Sequence, residues 1–181
     1  MQEPKSLKLG GESVTVEIDE TLVGGRKLRQ GTKAGRKNKT VVVGMAERNG
    51  RIHLQTVKSA KTWHVQPVLR EKLDKDTEKV VTDGARMYKK MLPKDKHVVG
   101  VHVDELEDRG WTSTQTVENA FSLFKRGIVG NYHKLSKDHL DRYLGEFCWR
   151  YNRRKMQPWL FDMALTNLLN KKPLPYKDLT F

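Results

Sequence analysis

The chain has 181 residues, with 35 Lys and Arg against 22 Asp and Glu, which gives a formal charge of +13. That length favours one domain, spanning 13–170 between short ends 1–12 and 171–181, and the charge points to a polyanion or an anionic surface as partner. No apolar run approaches the ~20 residues that span a bilayer, which excludes a membrane protein, and the single Cys148 excludes an intrachain disulfide and a cysteine-based zinc site.

The first ten residues are polar and read as a flexible lead-in without the apolar core of a secretion signal. This fits a bacterial cytoplasm and nucleoid, or a nucleus if the source is eukaryotic. Val14, Val16 and Ile18 then alternate with Thr15, Glu17 and Asp19, a strand with one apolar face that ends at Asp19. Residues 24–40 read as a mobile basic loop: Arg26, Lys27, Arg29, Lys33, Arg36, Lys37 and Lys39 occur there among glycines and polar residues, with no acid. Residues 41–46 and 52–55 form two further strands around a turn, which completes an antiparallel meander.

Val65, Val68, Leu69 and Leu73 follow at helical spacing, and residues 79–82 read as a buried strand closing at Asp83. Residues 97–103 form a fifth β-rich run. Val117, Phe121, Phe124 and Ile128 then mark a helix, and a longer helix capped by Ser136 carries Leu140, Tyr143, Leu144, Phe147, Cys148 and Tyr151. Pro158 is expected to open a last helix whose apolar stripe is Leu160, Phe161, Ala164 and Leu168 or Leu169. Three antiparallel strands, then parallel ones, with flanking helices, make an α/β protein with a five-stranded mixed sheet, the element order of ribonuclease-H-like domains.

Asp19 and Asp83 each sit where a strand pattern gives way to polar residues, and Glu118 lies in the first turn of the helix that starts near Thr116. If the two strands are adjacent and parallel, the three acids converge at one sheet edge. Taken singly, each also suits a turn, a cap or the helix dipole. Converging carboxylates raise one another's pKa, and a divalent cation relieves the conflict; hard oxygen ligands select Mg²⁺ or Mn²⁺. Two such ions would activate an oxygen nucleophile and stabilise a leaving oxygen, which is phosphodiester chemistry.

The wording around each acid narrows the choice. Residues 16–25, VEIDETLVGG, resemble the first catalytic block of the ISXO-type insertion-sequence transposases, whose eukaryotic relatives are the Merlin elements. Residues 81–88, VTDGARMY, are similar to the second block and 116–127, TVENAFSLFKRG, to the third, with Asp83 and Glu118 35 residues apart. Tyr132, His133, Ser136, Leu140, Tyr143, Glu146, Phe147 and residues 150–154 continue the likeness. Members often carry Asn three residues before the Glu, where this chain has Gln115; an amide is a poor Mg²⁺ ligand, so the third role falls to Glu118. The usual amino-terminal zinc ribbon is not among these residues, as expected of an excised catalytic domain or a shortened relative.

The resemblance implies a DDE transposase catalytic domain that cleaves transposon ends with water and joins the freed 3′-hydroxyl to target DNA, acting as a multimer on DNA. Asp19, Asp83 and Glu118 would hold two Mg²⁺ or Mn²⁺ ions, with Asp19 shared. Lys125, seven residues or about 10 Å beyond Glu118 on nearly the same helix face, is within reach of a phosphate, and the family places a lysine there on the backbone. Arg126 beside it, Arg26, Lys27, Arg29, Lys33, Arg36 and Lys37 are the other expected phosphate contacts.

Among the aromatic residues, Trp63, Trp149 and Trp159 read as core or rim residues, and Trp111 as a residue that stacks on an unpaired base. His102 and His133 read as structural, and residues 104–108 as a solvated acidic segment. Arg150, Arg153, Arg154 and Lys155 suit either DNA or a helix dipole. Two alternatives stand beside the transposase: a domesticated DNA-binding protein that retains the fold without turnover, and a nuclease that only hydrolyses. Three intact acids weigh against the first.

Overall fold

A computed structural model describes residues 4, 6–24, 39–100, 113–133, 135–173 and 175. Its centre is a five-stranded sheet in the order β3-β2-β1-β4-β5, formed by β1 (Thr15–Val23), β2 (Thr40–Glu47), β3 (Ile52–Val57), β4 (Lys79–Thr82) and β5 (His97–Val99). β1, β2 and β3 form the antiparallel meander, while β4 pairs parallel with β1 and β5 parallel with β4. This is the mixed sheet of a ribonuclease-H-like fold.

The strand alternation divides the core into two layers. Val16 and Ile18 of β1, with Val43 and Met45 of β2, face α1 (Thr62–Lys72) and the one-turn α2 (Tyr88–Met91) through Val65, Leu69 and Tyr88. On the opposite side, Val23, Val42, Ala46, Ile52 and Leu54 face α3 (Gln115–Gly127) and α4 (Leu140–Asn152) through Val117, Phe121, Phe124, Leu144 and Cys148. Both faces of the sheet are covered, so the polar side of β1 is not a solvent face: Glu17 is only 1% exposed.

Several elements differ from their sequence-based expectation. β1 continues four residues past Asp19, because β2 pairs with it as far as Val23↔Thr40, after β4 has ended alongside Ile18. The expected lead-in is anchored at Leu9, which is buried and exchanges backbone hydrogen bonds with Lys72 and Asp74. Ser136 is not the cap of α4; its hydroxyl accepts the His139 N–H one turn earlier, and His139 occupies the cap position.

Pro158 lies inside a 3₁₀ segment (Arg154–Trp159), and α5 (Leu160–Leu169) begins after it. No residue of α5 is buried, so its stripe, with Phe161, Leu168 and Leu169, faces outward. Of the expected basic loop, 25–38 lies outside the described residues, as do 101–112 with His102, Trp111 and the acidic segment. No helix among the described residues is long and apolar enough to cross a membrane.

Candidate active site at the carboxyl edge of the sheet

Ile18 pairs with Thr82 in the parallel β1–β4 ladder, so the residues that follow, Asp19 and Asp83, emerge side by side. Gly84 turns the chain immediately after Asp83 with φ of +82°, a conformation that suits glycine, and the Asp83 carboxylate accepts the Ala85 N–H at 3.0 Å. Asp19 shares a face of β1 with Glu17 and Thr21, the face toward α3. Glu20 points to the other face, where the buried Tyr88 hydroxyl donates to it.

Glu17 fastens α3 to β1. Its carboxylate accepts the backbone N–H of Thr116 at 2.6 Å and of Val117 at 3.2 Å, and the Thr116 hydroxyl at 2.9 Å. These N–H groups belong to the first helical turn, which lacks partners inside the helix and carries the positive end of its dipole. Arg48 closes the set, donating Nε to Glu17 at 3.0 Å and Nη2 to the Ser113 carbonyl at 3.2 Å. A buried carboxylate with this many donors sets where α3 begins, and therefore where Glu118, one residue beyond Val117, stands over the sheet edge. Thr114 donates its hydroxyl to Glu118 at 2.7 Å.

The electrostatics report one shared field. The Asp19 carboxyl is pushed up to about 6, first by burial and then by the charges of Asp83 and Glu118; the Glu20 N–H and Lys125 act in the opposite sense. Burial, together with Asp19 and Asp83, pushes Glu20 up to about 7 against the Tyr88 hydrogen bond, and the Tyr88 hydroxyl is itself pushed up by burial and by Glu20. Lys125 donates Nζ to Thr21 Oγ1 at 2.6 Å, two residues past Asp19, and its own pKa is lowered by burial and Lys39.

Asp83 and Glu118 both act on Asp19, yet no group of three His, Cys, Asp or Glu side chains among the described residues is drawn in to hold a metal ion. Each acid accepts one local hydrogen bond: Asp19 from the Glu20 N–H, Asp83 from the Ala85 N–H and Glu118 from the Thr114 hydroxyl. The donor set nevertheless fits a hard divalent cation, since it is all carboxylate oxygen and mutual repulsion already raises the proton affinity of Asp19.

Lys125 and Arg126 are exposed near the end of α3, while Arg26, Lys27, Arg29, Lys33, Arg36, Lys37 and Trp111 lie outside the described residues. The cluster at 150–154 serves the fold. Arg154 donates to the carbonyls of Gly50 and Tyr151, Arg153 packs 4.6 Å from the Trp149 ring, and Asn152 both donates to and accepts from the Ile52 backbone. Sequence reasoning missed Glu17, Glu20, Thr21 and Thr114 as site residues; the shared parity of Glu17, Asp19 and Thr21 was the available signal.

A family model for ISXO2-like transposase domains matches residues 8–152, a span that contains Asp19, Asp83, Glu118 and Lys125. No curated protein matches the chain. The chain belongs to this family of insertion-sequence transposases of the DDE superfamily.

Proposed function

We propose that this transposase domain hydrolyses a DNA phosphodiester at a transposon end and then joins the end to target DNA. In the first step a water oxygen attacks the scissile phosphorus and the P–O3′ bond breaks, leaving a 3′-hydroxyl on one side of the break in that strand and a 5′-phosphate on the other. In the second, that hydroxyl attacks a target phosphorus, a new P–O bond forms and the target's own 3′-oxygen leaves.

Asp19, Asp83 and Glu118 are the residues that would hold the Mg²⁺ or Mn²⁺ ions. When bound, such ions supply the positive charge that favours the deprotonated nucleophile and the developing charge on the leaving oxygen. Lys125 holds a phosphate oxygen, with Arg126 and the basic run containing Arg26, Lys27, Arg29, Lys33, Arg36 and Lys37 tracking the backbone on either side. Glu17 and Thr114 set the stance of α3 and of Glu118, and Glu20 with Tyr88 buttresses the opposite face of β1.

The observation that carries this reading is the parallel β1–β4 register, which brings Asp19 and Asp83 out side by side, with α3 fastened over them by Glu17 so that Glu118 acts on Asp19. Acids that repel one another at a sheet edge are an unfavourable arrangement for a purely structural turn. The test is Mn²⁺-dependent nicking of supercoiled plasmid, followed by strand transfer from a labelled pre-nicked end. Wild type should perform both, and Asp83→Asn neither. Nicking that persists in Asp83→Asn would overturn the assignment.

A further inference from the structure

We propose that Trp63, flanked by Lys58 and Lys61, is a platform on which an unpaired base of the bound DNA stacks, an inference that rests on the transposase reading above. Of the described tryptophans Trp149 is buried at 2%, whereas Trp159 is 64% exposed and Trp63, on the first turn of α1 and beside two lysines, is 63% exposed. Its ring is fixed: Lys61 Nζ lies 5.0 Å from the ring centroid and the His64 ring meets it edge-on at 6.0 Å. His64 is held in turn by a 2.8 Å hydrogen bond between its Nδ1 and Ser59 Oγ.

The location links this ring to the acids. β1 and β3 are both antiparallel to β2 and so run in the same direction, with Leu22 opposite Val41 and Val41 opposite Val57. The chain therefore leaves β3 toward Lys58 and Trp63 at the sheet edge where Asp19 and Asp83 emerge. β3 lies two strand spacings, about 10 Å, from β1, and α1 packs on the sheet face opposite α3, so the platform would meet DNA some nucleotides from the scissile phosphate.

Charge identifies the occupant. The exposed charged side chains between the end of β3 and Trp63 are Lys58 and Lys61, both basic. A nucleic-acid strand offers both a π-face for the ring and phosphates for the lysines. Lys61 Nζ lies over one face of the ring, so a base would stack on the opposite face.

The test compares a labelled blunt duplex with the same duplex carrying a short single-stranded extension, by fluorescence anisotropy at fixed salt with the full chain. Trp63→Ala should weaken binding of the extended probe by roughly 5- to 150-fold, the range found when a stacking aromatic is removed, and leave the blunt probe unchanged. Trp63→Phe should recover most of the loss. Lys58→Ala combined with Lys61→Ala should lower the salt slope on the extended probe by about one to two.

Equal affinities of Trp63→Ala and wild type for the extended probe, or equal losses on both probes, would overturn the platform and leave the transposase reading intact. Loss of self-association with unchanged DNA affinity would assign the ring to a protein contact and overturn it likewise. A wild-type chain that binds neither probe would overturn both readings together.

Discussion

Asp19 and Gly44 face each other across the antiparallel β1–β2 ladder, and the missing side chain at Gly44 is what lets α3 lie against the sheet beside Asp19. A methyl group at Gly44 would sit 2.5 Å from Phe121 Cζ and 2.7 Å from Val117 Cγ2. Both neighbours belong to α3, and Val117 precedes Glu118. The spacing between two of the three acids thus depends on a residue with no chemistry of its own.

Gly44→Ala is accordingly expected to push α3 outward, at a cost of about 1–3 kcal/mol in stability, typical of an overpacked core. Urea denaturation measures that loss. Plasmid nicking should fall as well, and Phe121→Leu in the same chain should recover part of both by removing the ring atoms that clash.

Glu17→Ala removes the acceptor of two helix N–H groups and the partner of Arg48 in a site that is 1% exposed. Arg48 is 29% exposed and keeps the Ser113 carbonyl, so the cost lies in the helix N–H groups left without an acceptor, about 1–3 kcal/mol each where they stay buried. The expected outcome is a large fall in Tm, and Glu17→Gln, which keeps an oxygen acceptor, should lose less. A Tm for Glu17→Ala close to wild type would show that α3 is placed by its apolar face alone.

Much of this was legible in the sequence. The three-strand meander and the strand ending at Asp83 follow from period-two patterns, and the amphipathic stripe of α3 from its 3.6-residue repeat. The placement of Asp19 beside Asp83 follows from their strands being parallel neighbours. The roles of Glu17 and Gly44 were not legible, because alternation says only that Glu17 shares a face with Asp19. Whether that face meets water or a helix is decided by α3, some 100 residues away in the chain. The exposed stripe of α5 failed for the converse reason: helical periodicity predicts a face to be covered, and no residue of α5 is buried.

The stability contributed by Asp19 and Glu20 should fall as pH rises from about 4 to about 7, against the opposite trend of His53 and His97. Asp19 and Glu20 have folded pKa values of about 6 and about 7 against ordinary values of 3.8 and 4.5, so the folded chain binds more protons than the unfolded one across that window. A raised carboxyl pKa therefore gives stability that is present at low pH and lost as the group ionises. Tm measured against pH without divalent metal should show this decline, and Glu20→Gln should flatten its upper part. A decline of the same size in Glu20→Gln would place its origin elsewhere.

Lys125→Ala separates holding the strand from holding metal. Its ammonium bonds Thr21 at an exposed position, so the variant should fold normally and keep nearly all its Mn²⁺ affinity. Cleavage at saturating DNA should slow by about tenfold to a thousandfold, the range for a mispositioned or less stabilised phosphate. Wild-type rates of cleavage and transfer would make Lys125 an ordinary surface residue.

The most direct measurement of the central claim, that Asp19, Asp83 and Glu118 act together on a divalent cation, is Mn²⁺ calorimetry on wild type, Asp19→Asn and Glu118→Gln. It is best made above pH 7, because Asp19 holds its proton up to about 6. Wild type should bind, and each variant should lose more than the ~10–100-fold that removing an outer-shell partner of a metal site costs. Equal Mn²⁺ affinity in all three proteins would contradict the account.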